Sequence, residues 1–183
     1  MTLATTLRGA FAALAALSLA ACGINSVPTA EEEAKAKWAD VEAQFQRRAN
    51  LIPNLAEVTK GAGENERTIL TQVTEARARA TSVNITADDL NDPAKMEQFA
   101  AAQSQLGAGI GRLLASVEAY PQVQSNQNYL ALQSQLEGTE NRIAVAIRDY
   151  NEAVRKYNTT IRTFPDSIGA NIIHGAEPMV PYK

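Results

Sequence analysis

The residue with the clearest chemical role is Cys22, the single cysteine of the chain. It ends a four-residue run that matches the bacterial lipobox, in which the cysteine thiol is acylated and becomes the first residue of the mature protein. The run consists of Leu19, Ala20, Ala21 and Cys22. We therefore predict that Cys22 carries acyl chains, palmitate among them, and anchors the protein to a membrane. The alternative is an ordinary signal peptide followed by an incidental cysteine.

The residues before Cys22 favour the lipobox interpretation. They include one cation, Arg8, and no acid, and residues 9–21 are almost entirely Ala, Leu and Phe. This apolar run is shorter than the roughly 20 residues that span a hydrocarbon core, and its length is typical of a secretory signal. We predict a cleaved signal peptide over residues 1–21, an acylated cysteine and short tether over residues 22–30, and a periplasmic-side location. Gly23 is not the aspartate that retains lipoproteins in the inner membrane, which slightly favours the outer membrane.

Other chemistry finds little support in the sequence. The single histidine, His174, lies near the C-terminus and has Asn171, not a glutamate, three residues before it. A di-iron bundle needs two Glu-x-x-His motifs, and covalent haem attachment needs two cysteines. Zinc-protease and phosphate-loop motifs are missing as well, and nothing places a serine near His174. We predict no cofactor, no metal site and no enzyme activity. The glycines at 107, 109 and 111 fall inside a helical pattern, where small residues allow close helix approach.

Several polar residues are candidates for a polar layer or a partner surface. Arg48 falls on an apolar helix seam, and a buried arginine must be paired. Glu137, Glu140 and Glu75 are the possible partners, either in a structural salt-bridge layer, which we favour, or in a patch that binds a ligand. Asn151 and Asn158 form a hydrogen-bonding face or are simply solvated. The candidate set is Arg47, Arg48, Asn50, Asn54, Glu137, Glu140, Asn141, Arg142, Asn151 and Asn158.

The elements that carry these residues are predicted helices. A capping-box pattern at Thr29 begins the first helix, Pro53 should kink it, and residues 61–63 end it. The second helix covers residues 64–82. Asp92 and Pro93 open the third helix, and the fourth covers residues 126–163 with apolar residues every seven positions. We predict an all-α, antiparallel up-and-down four-helix bundle over residues 31–164. The apolar C-terminal tail, residues 165–183, packs on the bundle or binds a partner.

Several sequence stretches resemble the LemA family. The signature-like stretch is Arg47-Arg48-Ala49-Asn50-Leu51-Ile52-Pro53-Asn54-Leu55, and further matching stretches lie at residues 74–78, 111–114, 118–121, 136–144 and 157–165. The resemblance extends over about residues 33–182. It implies a helical bundle on the outer face of the cytoplasmic membrane, with no defined biochemical role and a partner in envelope maintenance. Family members usually have an uncleaved membrane helix where this chain has a lipobox.

Three functions follow from these patterns. The first is a membrane-anchored scaffold or adaptor that acts through a protein partner in the envelope, with a homo-oligomer left open. The second is a metal-binding or small-molecule-binding bundle, or an enzyme, that uses carboxylates alone. The third is direct membrane interaction through the apolar tail. The net charge of −3 argues against nucleic acid as a partner, because binding phosphates requires a basic surface.

Overall fold

The computed structural model describes residues 3–59 and 64–183, with side chains from residue 25 onward except those of residues 60–66 and 122. This part of the chain is all-helical and contains no strand, which confirms the predicted class. A 3-10 turn, Ala87–Asp89, precedes the third helix, and a π-helical turn, Ala170–His174, follows the last. The helices are α1 Leu3–Thr59, α2 Glu64–Ser82, α3 Pro93–Val117, α4 Pro121–Gln124, α5 Gln127–Thr160 and α6 Asp166–Gly169.

The start of the first helix differs from the prediction. Helix α1 is continuous through Pro28 and Thr29, and the Thr29 hydroxyl donates a hydrogen bond of 2.6 Å to the carbonyl oxygen of Asn25 instead of capping a helix. The expected tether over residues 22–30 is therefore helical. The physical reason is burial: Val27 and Ala30 pack in the core, and tertiary packing of an apolar face outweighs a local capping signal.

The predicted kink and the predicted C-terminal end of α1 both stay predictions. Helix α1 continues through Pro53, and the kink expected at this proline stays a prediction. The glycines expected to end the helix, at residues 61–63, lie outside the described residues. The second helix and the start of the third agree with the prediction, whereas the fourth, predicted over residues 126–163, is observed as Gln127–Thr160. The Asp92 carboxylate accepts hydrogen bonds from the amides of Ala94 and Lys95, at 2.9 and 3.2 Å, and Pro93 is the first residue of α3.

The core consists of two apolar clusters. Helix α1 packs against α5, and α2 packs against α3. One cluster is rich in aromatic residues and includes Trp38, Phe45, Phe99 and Tyr150, whereas the other is mainly aliphatic. Helices α1, α3 and α5 each contribute residues to both clusters. The antiparallel order of the four long helices stays a prediction.

Candidate protein-contact site

A buried arginine lies at the level where the two apolar clusters meet. Arg48 in α1 is 4% exposed, and its Nη1 atom lies 3.1 Å from Glu140 Oε1 in α5. Its Nη2 atom donates to the backbone oxygen of Gln103 at 2.8 Å and to the side-chain oxygen of the same residue at 2.9 Å. Arg48 is buried, as its position on the apolar seam indicated, and Glu140 is one of the three acids that the sequence left open as its partner. Glu137, by contrast, is exposed and accepts a hydrogen bond from Gln133.

Gln103 is the member of this group that the sequence prediction missed. Its side-chain amide also donates to the carbonyl oxygen of Ala80 in α2, at 3.3 Å. The group therefore connects α1, α2, α3 and α5, and we call Arg48, Gln103 and Glu140 the arginine layer. One sequence feature could have identified Gln103: it is a glutamine at a core position of the third helix, seven residues after Met96 and seven before Ile110. A buried polar residue of this kind requires a partner.

The small residues of α3 make room for the arginine layer and for α2. A Cβ atom at Gly107 would lie 3.3 Å from Arg48 Nη1, and one at Gly109 would lie 3.2 Å from the Val73 side chain. Both distances are tighter than ordinary packing, so glycine at these positions permits the close approach that the sequence predicted. Gly111 has open space around it and does not contribute to this packing.

Two asparagines of α5 bind the C-terminal segment of the chain. Asn158 donates to the carbonyl oxygen of Met179 at 2.8 Å and accepts from the Met179 amide at 2.9 Å. Asn151 makes the same pair of hydrogen bonds with Tyr182, at 2.9 and 2.8 Å. We call Asn151 and Asn158 the asparagine ladder. Of the two possibilities that the sequence left open, the hydrogen-bonding face is the one observed, and its partner is the chain itself.

The spacing of the ladder suits an extended backbone. Seven residues of α-helix rise about 10.5 Å, and three residues of extended chain cover about 9–10 Å. The two asparagines are seven residues apart, and their partners, Met179 and Tyr182, are three residues apart and run in the opposite direction to α5. Every ladder bond involves a backbone group of the tail, so these four hydrogen bonds do not require particular side chains at positions 179 and 182.

Val180, which lies between the two residues bound by the asparagine ladder, makes further contacts that hold the same segment. The Tyr150 hydroxyl donates to the carbonyl oxygen of Val180 at 2.9 Å, and the Val180 amide donates to the carbonyl oxygen of Leu90 at 2.8 Å. Burial raises the pKa of the Tyr150 hydroxyl, which keeps this donor protonated well above neutral pH. We call residues 175–183, held in this way, the docked tail.

Side chains of the docked tail complete the aromatic cluster. Met179 is buried. The Tyr182 ring lies 5.8 Å from the Phe45 ring and 6.4 Å from the Phe99 ring, in each case between centroids. Burial raises the pKa of Tyr182, and the nearby positive charge of Arg48 opposes this shift. The docked tail therefore contributes both hydrogen bonds and apolar contacts to the fold.

The remaining candidate residues do not converge on the ladder. Asn50 accepts a hydrogen bond from Gln46 at 3.0 Å, and Arg142 donates to Thr139 at 3.3 Å. These residues are on the surface of the long helices, where they are accessible to a partner. The exposed candidates are Arg47, Asn50, Asn54, Glu137, Asn141 and Arg142. The side chains of Cys22 and of Leu19, Ala20 and Ala21 lie outside the described part of the chain.

The predicted apolar tail is divided into two parts. Residues 175–183 are docked, whereas several apolar side chains between residues 164 and 173 face solvent. No helix among the described residues is both long enough and apolar enough to cross a membrane. The described residues also contain no group of three or more His, Cys, Asp or Glu side chains that could bind a metal ion together.

Comparison with known proteins gives one family. The model of the LemA family matches residues 37–182. The chain is similar to the magnetosome protein MamQ 2 of Paramagnetospirillum magneticum, with 29% identity over 157 residues, 77% of this chain and 58% of that protein. It is also similar to the protein LemA of Metamycoplasma hominis, with 23% identity over 124 residues, 68% of this chain and 52% of that protein. The chain thus spans only a little over half the length of these relatives.

Proposed function

We propose, from the premise that this chain belongs to the LemA family, that it is a membrane-anchored helical scaffold or adaptor on the periplasmic side of a bacterial envelope. In this proposal it acts by protein–protein contact and not by turnover. The observation that carries the proposal is the asparagine ladder, because its polar side chains bind a segment of polypeptide backbone. A surface that holds one extended segment in this way has the chemistry of a peptide-contact surface.

The proposed anchor is the acylated Cys22. Val27 is fully buried in the core and lies five residues after Cys22, a span of at most about 18 Å for any backbone conformation. The folded domain therefore lies close to whatever membrane holds the cysteine. A lipoprotein cysteine normally carries two or three chains, and two anchoring groups give stable attachment where one is marginal. Gly23 favours the outer membrane slightly over the inner one in this proposal.

The proposed architecture is an antiparallel up-and-down four-helix bundle. Its support is the packing of α1 against α5 and of α2 against α3, together with the arginine layer, whose residues join α1, α3 and α5 and bind the Ala80 carbonyl oxygen of α2. A scaffold of this kind holds the exposed polar residues of α1 and α5 on one folded domain beside the membrane. Two of these residues, Asn50 and Asn54, belong to the stretch that resembles the family signature.

Site-specific photocrosslinking in cells tests this proposal. A photoreactive residue replaces Asn54 in the family-like stretch, and a matched control carries it at Ala101, which is also exposed but lies on α3. We expect one crosslinked species of defined mass from position 54, and less or none from position 101. The same crosslink in a Cys22→Ala chain that has left the membrane fraction would contradict a membrane-dependent adaptor. If none of the exposed candidate positions gave a crosslink, the contact mechanism would be contradicted.

The identity of the crosslinked species separates two kinds of partner. Coexpression of two copies of the chain with different tags shows whether the crosslink joins two copies or this protein to another envelope protein. We expect a different protein. A crosslink between copies would contradict the adaptor and indicate that the protein acts as a homo-oligomer.

A further inference from the structure

An exposed apolar patch lies at the beginning of the C-terminal segment. We call Phe164, Ile168, Ile172 and Ile173 the apolar end patch, and their side chains are between 44% and 79% exposed. The described part of the chain has six large hydrophobic residues this exposed, and four of them fall within these ten positions. Single exposed apolar residues are ordinary, but a group of this size on one short segment marks an interaction surface.

The patch lies close to the residues that follow Cys22. The Ser26 hydroxyl donates to the Asp166 carboxylate at 2.7 Å, and α1 contacts both α6 and the π-helical turn. Ser26 is four residues after Cys22, so the cysteine lies within about 14 Å of Ser26 whatever the backbone conformation between them. The segment that carries the apolar end patch therefore lies beside the part of α1 that follows the proposed anchor.

The charges around the patch agree with an apolar contact. Arg162 and His174, which flank it, are exposed and basic or neutral. The acidic group within it, Asp166, accepts the hydrogen bond from Ser26, and Glu177 accepts one from Asn91. Because the chain as a whole is acidic, attraction to anionic lipid contributes little, and burial of the apolar side chains supplies the favourable free energy.

We propose that the apolar end patch inserts into the interfacial region of the bilayer that holds Cys22, as a second point of membrane contact. This inference rests on the proposed anchoring. It also restricts the membrane interaction predicted for the whole tail to the exposed apolar side chains of residues 164–173, because the docked tail is engaged with the bundle. Two contact points fix the tilt of the bundle relative to the membrane, whereas a single acyl anchor leaves the tilt free.

Fluorescence quenching in vesicles tests the inference. The full chain, with Cys22 acylated in the cell, is purified with one further cysteine, Ile172→Cys or Leu130→Cys, and labelled with an environment-sensitive thiol dye. Leu130 is the matched control, because it is an exposed leucine (51%) near the opposite end of α5 from Phe164. The labelled proteins are placed in vesicles of phosphatidylethanolamine and phosphatidylglycerol, with and without a lipid that carries a shallow quencher.

We expect a blue-shifted emission and several-fold quenching of the dye at position 172, and neither effect at position 130. Equal, weak quenching at both positions in vesicles that still float with the protein would overturn the second contact while leaving the anchor intact. Labelling at Cys22 itself, with no flotation, would overturn the anchor, and the two failures are therefore distinguishable. Weak quenching at position 172 in vesicles, combined with protection of that cysteine from thiol reagents in native membranes, would assign the patch to a protein partner and also overturn the inference.

Discussion

The arginine layer and the asparagine ladder both use polar side chains to hold the chain together, but they join different things. The arginine layer is inside the bundle and connects helices mostly through side chains. The ladder is half-buried at the surface and connects α5 to a backbone segment. The first group therefore joins helices to one another inside the bundle, whereas the second joins the C-terminal segment to one face of α5. Only the second has the properties of a contact surface.

The largest expected effect is at Arg48. We expect Arg48→Ala to lower the free energy of unfolding by about 3 kcal/mol, at the low end for a broken buried pair, because Glu140 is 49% exposed and stays hydrated. Arg48→Met, which keeps the packing volume, should cost much less if the layer is purely structural. Urea unfolding measures both, with the exposed neighbour Arg47→Ala as control. Equal stabilities of the variants Arg48→Ala and Arg47→Ala would contradict the structural role.

A smaller effect is expected at the ladder. Asn158→Ala leaves the partly buried amide and carbonyl groups of Met179 without partners, and we expect a loss of about 1–2 kcal/mol. The loss should be local, because the ladder joins the tail and not the helices. Hydrogen exchange at the Met179 amide should accelerate while amides of the α1 core keep their protection. Asn54→Ala, at an exposed position, is the control. A uniform loss of protection from hydrogen exchange across the bundle would contradict the local role of the asparagine ladder.

The hydroxyl of Tyr150 gives a pH-dependent test of the docked tail. Tyr150→Phe removes the donor to Val180 and should cost about 1 kcal/mol at neutral pH. Burial raises the pKa of Tyr150 in the folded protein above its unfolded value of about 10. The stability linked to this group is therefore complete below about pH 10 and declines as the pH rises through the folded pKa. The Phe variant should lose less stability on going from neutral to alkaline pH. Parallel curves for the two proteins would contradict burial of this hydroxyl.

The smallest effect on stability is expected at the apolar end patch. Ile172→Ser changes an exposed side chain, and the free energy of unfolding should change by less than about 0.5 kcal/mol. The same change at Met179, in the docked tail, should be clearly destabilising because Met179 is buried. Thermal unfolding of the two variants measures the contrast. A large loss in the Ile172→Ser variant would mean that residues 164–173 pack on the bundle after all.

Local and periodic features of the fold could be predicted from the sequence. The seven-residue repeat of α5, the Asp92 cap and the proline after it are encoded within one or two helical turns. The burial of Arg48 follows from its place on an apolar seam, and Glu140 was among three acids in reach. The start of α1 could not be predicted, since the pattern at Thr29 also fits a continuous helix when Val27 is buried by distant residues.

The use of the asparagines could not be predicted in full either. Asn158 pairs with a residue 21 positions away and Asn151 with one 31 positions away. The register between the tail and α5 depends on where Tyr182 meets the rings of Phe45 and Phe99, and no local pattern encodes it. For the same reason, the apolar composition of the tail does not tell which of its residues are docked and which are exposed.

The measurement that tests the central claim most directly is the mass of the mature protein extracted from membranes. The account predicts a chain that begins at residue 22, with the mass of the Cys22–Lys183 polypeptide increased by a glyceryl group on the cysteine sulfur and two or three fatty acyl chains. It also predicts that this species is recovered from the membrane fraction. A chain that begins at any other residue, or one with a free thiol at Cys22, would contradict the anchored scaffold.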